Sequence, residues 1–295
     1  MIPLRVVRLA AAVTLAVGCA TGLQAQQRVS KRYAVSPTVA VRIYNLVGVI
    51  RVIGWDRDTV AITGLIPVNG GTYFGGGGTQ GVKLGVEGQD EGLKANGATF
   101  EVQVPRKARV WIKSASARVE VHGLAGDLEV SSITGPVRAE VTDATVRVES
   151  IDGDVEILGS SPVVRVHTGA GPVTLVGRQS DVVVSTVSGR VTMTDASVVQ
   201  GAIETISGPV ALTGTVGAGG LEVRTHDADV DLTFGGAVAA DLDLQSVEGQ
   251  VVTTLLPKGH PVAERGLVRR RIGVGGSRIV VRSLRGQIRV GVSPL

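Results

Sequence analysis

The sequence predicts an all-β protein, a single-stranded β-solenoid (a β-helix or β-roll) with coils of about 18 residues and two short strands per coil. Three observations predict it. A Ser/Thr-x-x-Gly pattern recurs along the chain at near-constant spacing. Aliphatic and polar residues alternate on both sides of each of those glycines, the period of a half-buried strand. The composition combines 43% hydrophobic residues with only 3% aromatics and 41 glycines in 295 residues, so the core is aliphatic and the turns are many. Such a chain is too apolar for intrinsic disorder, and its Val and Thr content favours strands.

Taken in order, the chain opens on Arg5 and Arg8, followed by an apolar run from Leu9 to Gly18. That run is too short to span a bilayer as a mature helix. Residues 1–25 read as an export signal cut after Ala25. A competing cut before Cys19, in Ala16-Val17-Gly18-Cys19, resembles a lipobox and would make Cys19 a lipid anchor. Either cut removes Arg5 and Arg8 and leaves 28 basic against 26 acidic residues, the 30 of the full chain less two. An excess that small does not point to nucleic acid or to an anionic membrane. The scarcity of aromatics also argues against a base-stacking platform. With a single Cys, an intramolecular disulfide framework and a Cys-based zinc site are excluded. No later run is long and apolar enough for a transmembrane helix. The expected location is therefore exported: periplasmic, outer-membrane-associated or extracellular.

Residues 26–107 read as an N-terminal β segment, with Asn-Leu-Val-Gly-Val-Ile (45–50) as an outlying copy of the repeat. Within it, 68–98 is a Gly-rich insertion expected to form a long loop or flap. No Gly-Lys-Ser/Thr ending accompanies those glycines, so they do not read as a phosphate loop. Residues 108–295 read as the solenoid. The repeat position falls at 117, 135, 153, 171, 189, 208, 228, 249 and 286, with Ala117 and Ala228 replacing glycine. The last gap holds an insertion at 255–277. Aliphatic pairs precede the glycine (Val146/Val148, Val164/Val166, Val182/Val184) and follow it (Val155/Ile157, Val173/Leu175, Val191/Met193). A Ser or Thr stands three residues before each position, from Ser114 to Ser283. It serves either as an inter-coil hydroxyl ladder or as a corner cap. The glycine itself meets a need for positive φ or for a corner free of side chains.

One coil cannot stand alone. It buries roughly four aliphatic side chains, worth about 1.5–3 kcal/mol each, while backbone ordering costs about 1–2 kcal/mol per residue. Stacked coils share hydrogen bonds and close the core above and below.

These motifs resemble the bacterial putative-adhesin family, exported β-strand-repeat proteins with a domain of unknown function. The resemblance rests on Val-Gly-Val-Ile-Arg-Val-Ile-Gly-Trp-Asp-Arg-Asp-Thr-Val-Ala-Ile (47–62), on the Ser/Thr-x-x-Gly-x-Val coils, and on Ile-Val-Val-Arg-Ser-Leu-Arg-Gly-Gln-Ile-Arg-Val (279–290). It covers roughly residues 35–292. It implies a β-solenoid or roll at the cell surface and carries over no catalytic residue.

Candidate site residues fall in three groups. Asp227, Asp229, Asp231, Asp241 and Asp243 are expected to point outward, with the 229/231 and 241/243 pairs one coil apart. That spacing would suit a calcium ion, the one cofactor the pattern admits, or a carboxylate pair for glycoside hydrolysis. A solvated acidic face is the simpler reading. Arg269, Arg270 and Arg271 lie in a basic C-terminal segment. It reads as a patch for an anionic polymer or as protection of an exposed sheet edge. Trp111, between inward Val110 and Ile112, is expected to point outward, either toward a sugar or beneath the 68–98 flap. The histidines His122, His167, His226 and His260 share no metal-binding pattern. The expected function is thus a non-enzymatic exported scaffold, binding a cell-surface polysaccharide or protein through an outer strand face. A carbohydrate-active enzyme and a self-assembling rod are the alternatives.

Overall fold

The computed structural model describes residues 26–89, 97–235, 239–254 and 259–293. The export signal and Cys19 lie outside them. All secondary structure among the described residues is β. In chain order the strands are β1 (Gln27–Ala34), β2 (Ala40–Tyr44), β3 (Gly48–Trp55), β4 (Thr59–Ile66), β5 (Thr72–Gly78), β6 (Gly81–Glu87) and β7 (Ala98–Pro105). Next come β8 (Arg109–Lys113), β9 (Arg118–Leu124), β10 (Asp127–Ser131), β11 (Val137–Thr142), β12 (Thr145–Ser150), β13 (Val155–Thr168) and β14 (Val173–Thr186). The chain continues with β15 (Val191–Thr205), β16 (Val210–Thr225), β17 (Val230–Gly235), β18 (Ala240–Thr254), β19 (Val262–Ile272), β20 (Ser277–Ser283) and β21 (Ile288–Ser293).

The repeat period becomes stacking register. Val146 pairs with Val164 and Val164 with Val182, in parallel. After the corner glycine, Val155 pairs with Val173 and Val173 with Val191. Equivalent residues of successive coils therefore lie on adjacent strands, about 4.8 Å apart, and their inward members form one aliphatic core. Val148, Val166, Val184 and Val223 have no exposed surface. The architecture is solenoid-like. Two short strands per coil hold as far as β12 and again in β20 and β21; from Val155 to Thr225 the second strand of one coil runs on into the first strand of the next. Strands β13 to β16 are 14 to 16 residues long for this reason. Gly159 lies within β13 at φ 103° and lets the chain bend without breaking its pairing.

Corner chemistry decides between the two readings of the Ser/Thr column. Most of these hydroxyls bond within their own corner, and where Ser246 and Thr186 reach a neighbouring coil they donate to its backbone carbonyl, not to its hydroxyl. Ser150 Oγ accepts from Gly153 N–H at 3.0 Å and donates to the Gly153 carbonyl at 3.2 Å. Thr186 and Thr205 accept from Gly189 and Gly208 in the same way, at 2.9 and 2.8 Å. The corner glycines need space, not positive φ. A Cβ on Gly171 would drive into the carbonyl of Gly153 in the coil below, and Gly171 is absent from the positive-φ residues.

Both ends depart from sequential stacking. The first coil in sequence, β2 and β3, is second in space. It pairs on one side with β8 and β9 and on the other with β6 and β7. The last coil in sequence, β20 and β21, lies between the coil of Ala228 and the coil of Gly249. Ile279 pairs with both Leu221 and Leu242, and Ile288 with both Val230 and Val251. The long final gap in the repeat is the path of this insertion.

The 68–98 segment is not simply a loop. It holds the antiparallel hairpin β5–β6, and Val82 and Leu84 pair with Val41 and Ile43 to close the end of the core. Strand β4 adds antiparallel to β7, and β1 to β4. At the other end β19, from the 255–277 insertion, adds antiparallel to β18.

Candidate functional site

The acidic residues singled out in sequence do come to the surface, but not as one cluster. Asp229 and Asp231 flank β17 residues after a corner, whereas Asp241 and Asp243 lie on β18 before one, so they occupy different strand stacks. The β20–β21 coil also separates them. The expected one-coil juxtaposition is therefore absent, because the aspartates occupy different positions in their repeats and the coils stack out of order.

Each of these carboxylates faces an arginine. Arg289 Nη1 lies 2.9 Å from Asp231 and Nη2 lies 3.0 Å from Asp229. Arg285 Nη1 is 3.0 Å from Asp227. Arg271 Nε is 2.7 Å from Asp241, and Arg282 Nη2 is 3.0 Å from Asp243. The hydrogen bond to Asp231, and then that to Asp229, raises the Arg289 guanidinium above its ordinary range; Asp241 does the same for Arg271. Antiparallel pairing of β18 with β19 sets Asp241 opposite Arg271 and Asp243 opposite Arg269. Asp241, Asp243 and Arg269 to Arg271, together with Arg278, line one open groove of about 520 Å³. The acidic and basic segments that look separate in sequence neutralise one another across strands. Among the described residues no group of three or more His, Cys, Asp or Glu side chains is placed to hold a metal ion.

Trp111 lies in a different place, near the opposite end. Its indole meets the Tyr44 ring edge-on at 5.0 Å between centroids, and its Nε1 donates to Glu129 at 3.1 Å. Tyr44 packs against Phe74 of β5 at 6.0 Å. Lys83 Nζ stands 5.0 Å from the Tyr44 ring and 5.1 Å from the Phe74 ring. Trp111 is thus half-buried at the surface and connects to the 68–98 segment through Tyr44.

Two further features escape a reading of the chain alone. One is a ladder of charge after the corner: Arg51 bridges Glu101 and Glu120 at 4.0 and 3.0 Å, and Arg138 bridges Glu140 and Glu156. His122 Nδ1 donates to the Glu140 carboxylate at 3.0 Å, and with Arg138 it holds that carboxyl below the usual range. Arg165 lowers Asp181 in the same manner on the other face. The other is a row of half-exposed aliphatics at the corner, Ile133, Ile151, Val187, Ile206 and Val247. A repeat-column alignment contains both, but only stacking turns columns into contacts.

The family model described as Toastrack DUF4097 matches residues 78–290, well over half of the chain. The motif at 47–62 precedes the matched residues, although its strand β3 is part of the same stack. No curated protein sequence matches the chain. Two solved structures align with 90% of it: a putative cell adhesion protein from Clostridium sporogenes and a putative adhesin from Bacteroides fragilis. The first is 10% identical, covered over 100% of its length, with a TM-score of 0.24. The second is 7% identical, covered over 97%, with a TM-score of 0.41. Among the described residues no helix is long and apolar enough to cross a membrane.

Proposed function

The chain belongs to the Toastrack DUF4097 family, and from that premise we propose that it is an exported, non-enzymatic scaffold that binds a macromolecular partner through an outer strand face. The partner is a cell-surface polysaccharide or a surface protein, and no cofactor is required. One observation carries this reading over a hydrolytic one: Asp227, Asp229, Asp231, Asp241 and Asp243 are each engaged by an arginine. A general acid needs a raised pKa, and a second carboxylate must stand free as base or nucleophile. The ion pairs with Arg271, Arg282, Arg285 and Arg289 leave none of these carboxylates standing free. A calcium site would likewise have to displace those guanidinium groups. What remains for function is a rigid stack with long, chemically varied outer faces.

The test replaces Asp229 and Asp231 together by Asn. The mature protein and the variant are assayed for cleavage of a panel of bacterial surface glycans and for binding to the same panel. Binding without cleavage in both proteins is the expected result. Cleavage by the parent that disappears in a folded D229N/D231N variant would replace this reading with a carbohydrate-active enzyme.

A further inference from the structure

The outer face at the N-terminal end differs from every other outer face of the stack. Six neighbouring strands, β5, β6, β2, β8, β10 and β12, align Gly76, Lys83, Arg42, Trp111, Glu129 and Arg147 in one row. Arg109 and Lys113 flank Trp111 on its own strand, pointing the same way by the two-residue alternation of a strand. Strands β6, β2 and β8 therefore present Lys83, Arg42, Arg109 and Lys113 outward, against one carboxylate, Glu87 at the far end of β6. None of these four cations forms an ion pair among the described residues, although most arginines elsewhere on the stack do. The face also gathers Tyr44, Phe74 and Trp111, three of the eight aromatic residues in a chain that is 3% aromatic.

Beside the rings lies a bare ledge. Gly76 is the cross-strand partner of Lys83, and Gly78 that of Gly81. A Cβ on Gly76 or Gly78 would meet nothing within 4 Å, and neither residue has positive φ. Neither the corner packing that explains Gly171 nor the positive φ that explains Gly159 applies here. Glycine inside a strand costs backbone entropy, and a glycine without a structural reason marks a place where another molecule approaches the backbone. On the other side of the rings a groove of about 460 Å³ runs over Arg42, Arg109, Trp111 and Arg147, with Asp127 and Glu129 as its two carboxylates.

Resting on the scaffold reading above, we propose that this face binds a linear acidic polysaccharide. The apolar face of a sugar ring packs on Trp111 and Tyr44. Arg42, Lys83, Arg109 and Lys113 meet its carboxylates, and the glycine ledge admits the chain beyond the rings. Three features favour a saccharide over an acidic peptide or a single-stranded nucleic acid. Trp111 meets Tyr44 edge-on and Phe74 is tilted against Tyr44, so no two rings lie parallel to sandwich a base. The ledge has no side-chain pockets for alternate residues of an added peptide strand. Glu129, fixed by the Trp111 indole, offers an acceptor suited to sugar hydroxyls.

The experiment measures binding of the mature protein to polygalacturonate by calorimetry, with neutral glucan, poly-glutamate and oligo-thymidine as comparisons. Polygalacturonate should bind best and weaken with salt. Trp111→Ala and R42S should each lower affinity about tenfold or more. G76L with G78L should do the same while leaving the melting temperature unchanged, which separates lost binding from lost folding. Equal or tighter binding of poly-glutamate or oligo-thymidine overturns the proposal, as does failure of polygalacturonate to bind. Polygalacturonate binding that survives all these substitutions also overturns it, yet leaves the scaffold reading intact with its site elsewhere.

Discussion

Gly171 and Gly76 are the same residue type in opposite situations. At Gly171 the coil below comes so close that its Gly153 carbonyl occupies the place of a Cβ. At Gly76 the space is open. Gly171→Ala must push two coils apart or bend the corner, and overpacking of this kind costs about 1–3 kcal/mol. Gly76→Ala removes chain entropy from the unfolded state and should be neutral or stabilising by about 0.4–1 kcal/mol. Calorimetric melting of both variants checks the contrast; equal effects would mean the corner can relax. The recurrence of glycine in one column was readable from the sequence. Its cause was not, because positive φ and close approach leave the same letter. Likewise the Ser/Thr column was plain, but only the structure shows Ser150, Thr186 and Thr205 accepting from their own corner glycines at 2.8–3.0 Å, the corner cap, and not bonding hydroxyl to hydroxyl.

Strands β20 and β21 end the described chain but do not end the stack. Val281 and Ile288 have no exposed surface, being covered by coils on both sides. Arg289 and Arg285 tie this coil to the Ala228 coil, and Arg282 ties it to β18. Removing residues 277–295 therefore takes out an internal layer. Backbone amides of both 221–232 and 240–254 should lose hydrogen-exchange protection together, as a cooperative unit does. Loss confined to one of these segments would contradict the intercalated position. The column pair Ile279/Val281 made β20 legible as a strand, and the charge runs made the acidic and basic segments legible as opposites. That they pair across strands was not legible, since it depends on which coil stacks on which. The β5–β6 hairpin was hidden by glycines that suggest a loop. The alternating Val82, Leu84 and Val86 were the available signal.

As a whole the molecule is a stack closed by antiparallel strands at each end, and the two closures carry like charge. Strand β1 exposes Arg28, Lys31 and Arg32; at the other end the four arginines of β19 (Arg265, Arg269, Arg270 and Arg271) face three carboxylates (Asp241, Asp243 and Glu264), an excess of one positive charge. Unpaired strand edges invite addition of another chain, and charge, especially basic charge, opposes it. The end-to-end rod is therefore disfavoured by the molecule's own ends. Reversing β1 with K31E and R32E makes the ends complementary and should promote head-to-tail association at low salt, suppressed at about 0.5 M salt by screening. Sedimentation velocity over a concentration series reads this. An unchanged distribution would show that edge charge does not control assembly.

The sequence by itself determined the all-β class, the coil length, the inward residues and the corner positions. These follow from local rules, the period of two along a strand and the space at a turn, and each repeats often enough to be read without neighbours. Only the tertiary structure decided the order of coils at the two ends, the pairing of Asp229 and Asp231 with Arg289, and the gathering of Trp111, Tyr44 and Lys83 on one face. The physical reason is that a parallel coil offers the same row of backbone donors and acceptors to any other coil. Hydrogen bonding does not say which neighbour it takes. That choice belongs to side chains far apart in sequence, which meet only after the stack has formed.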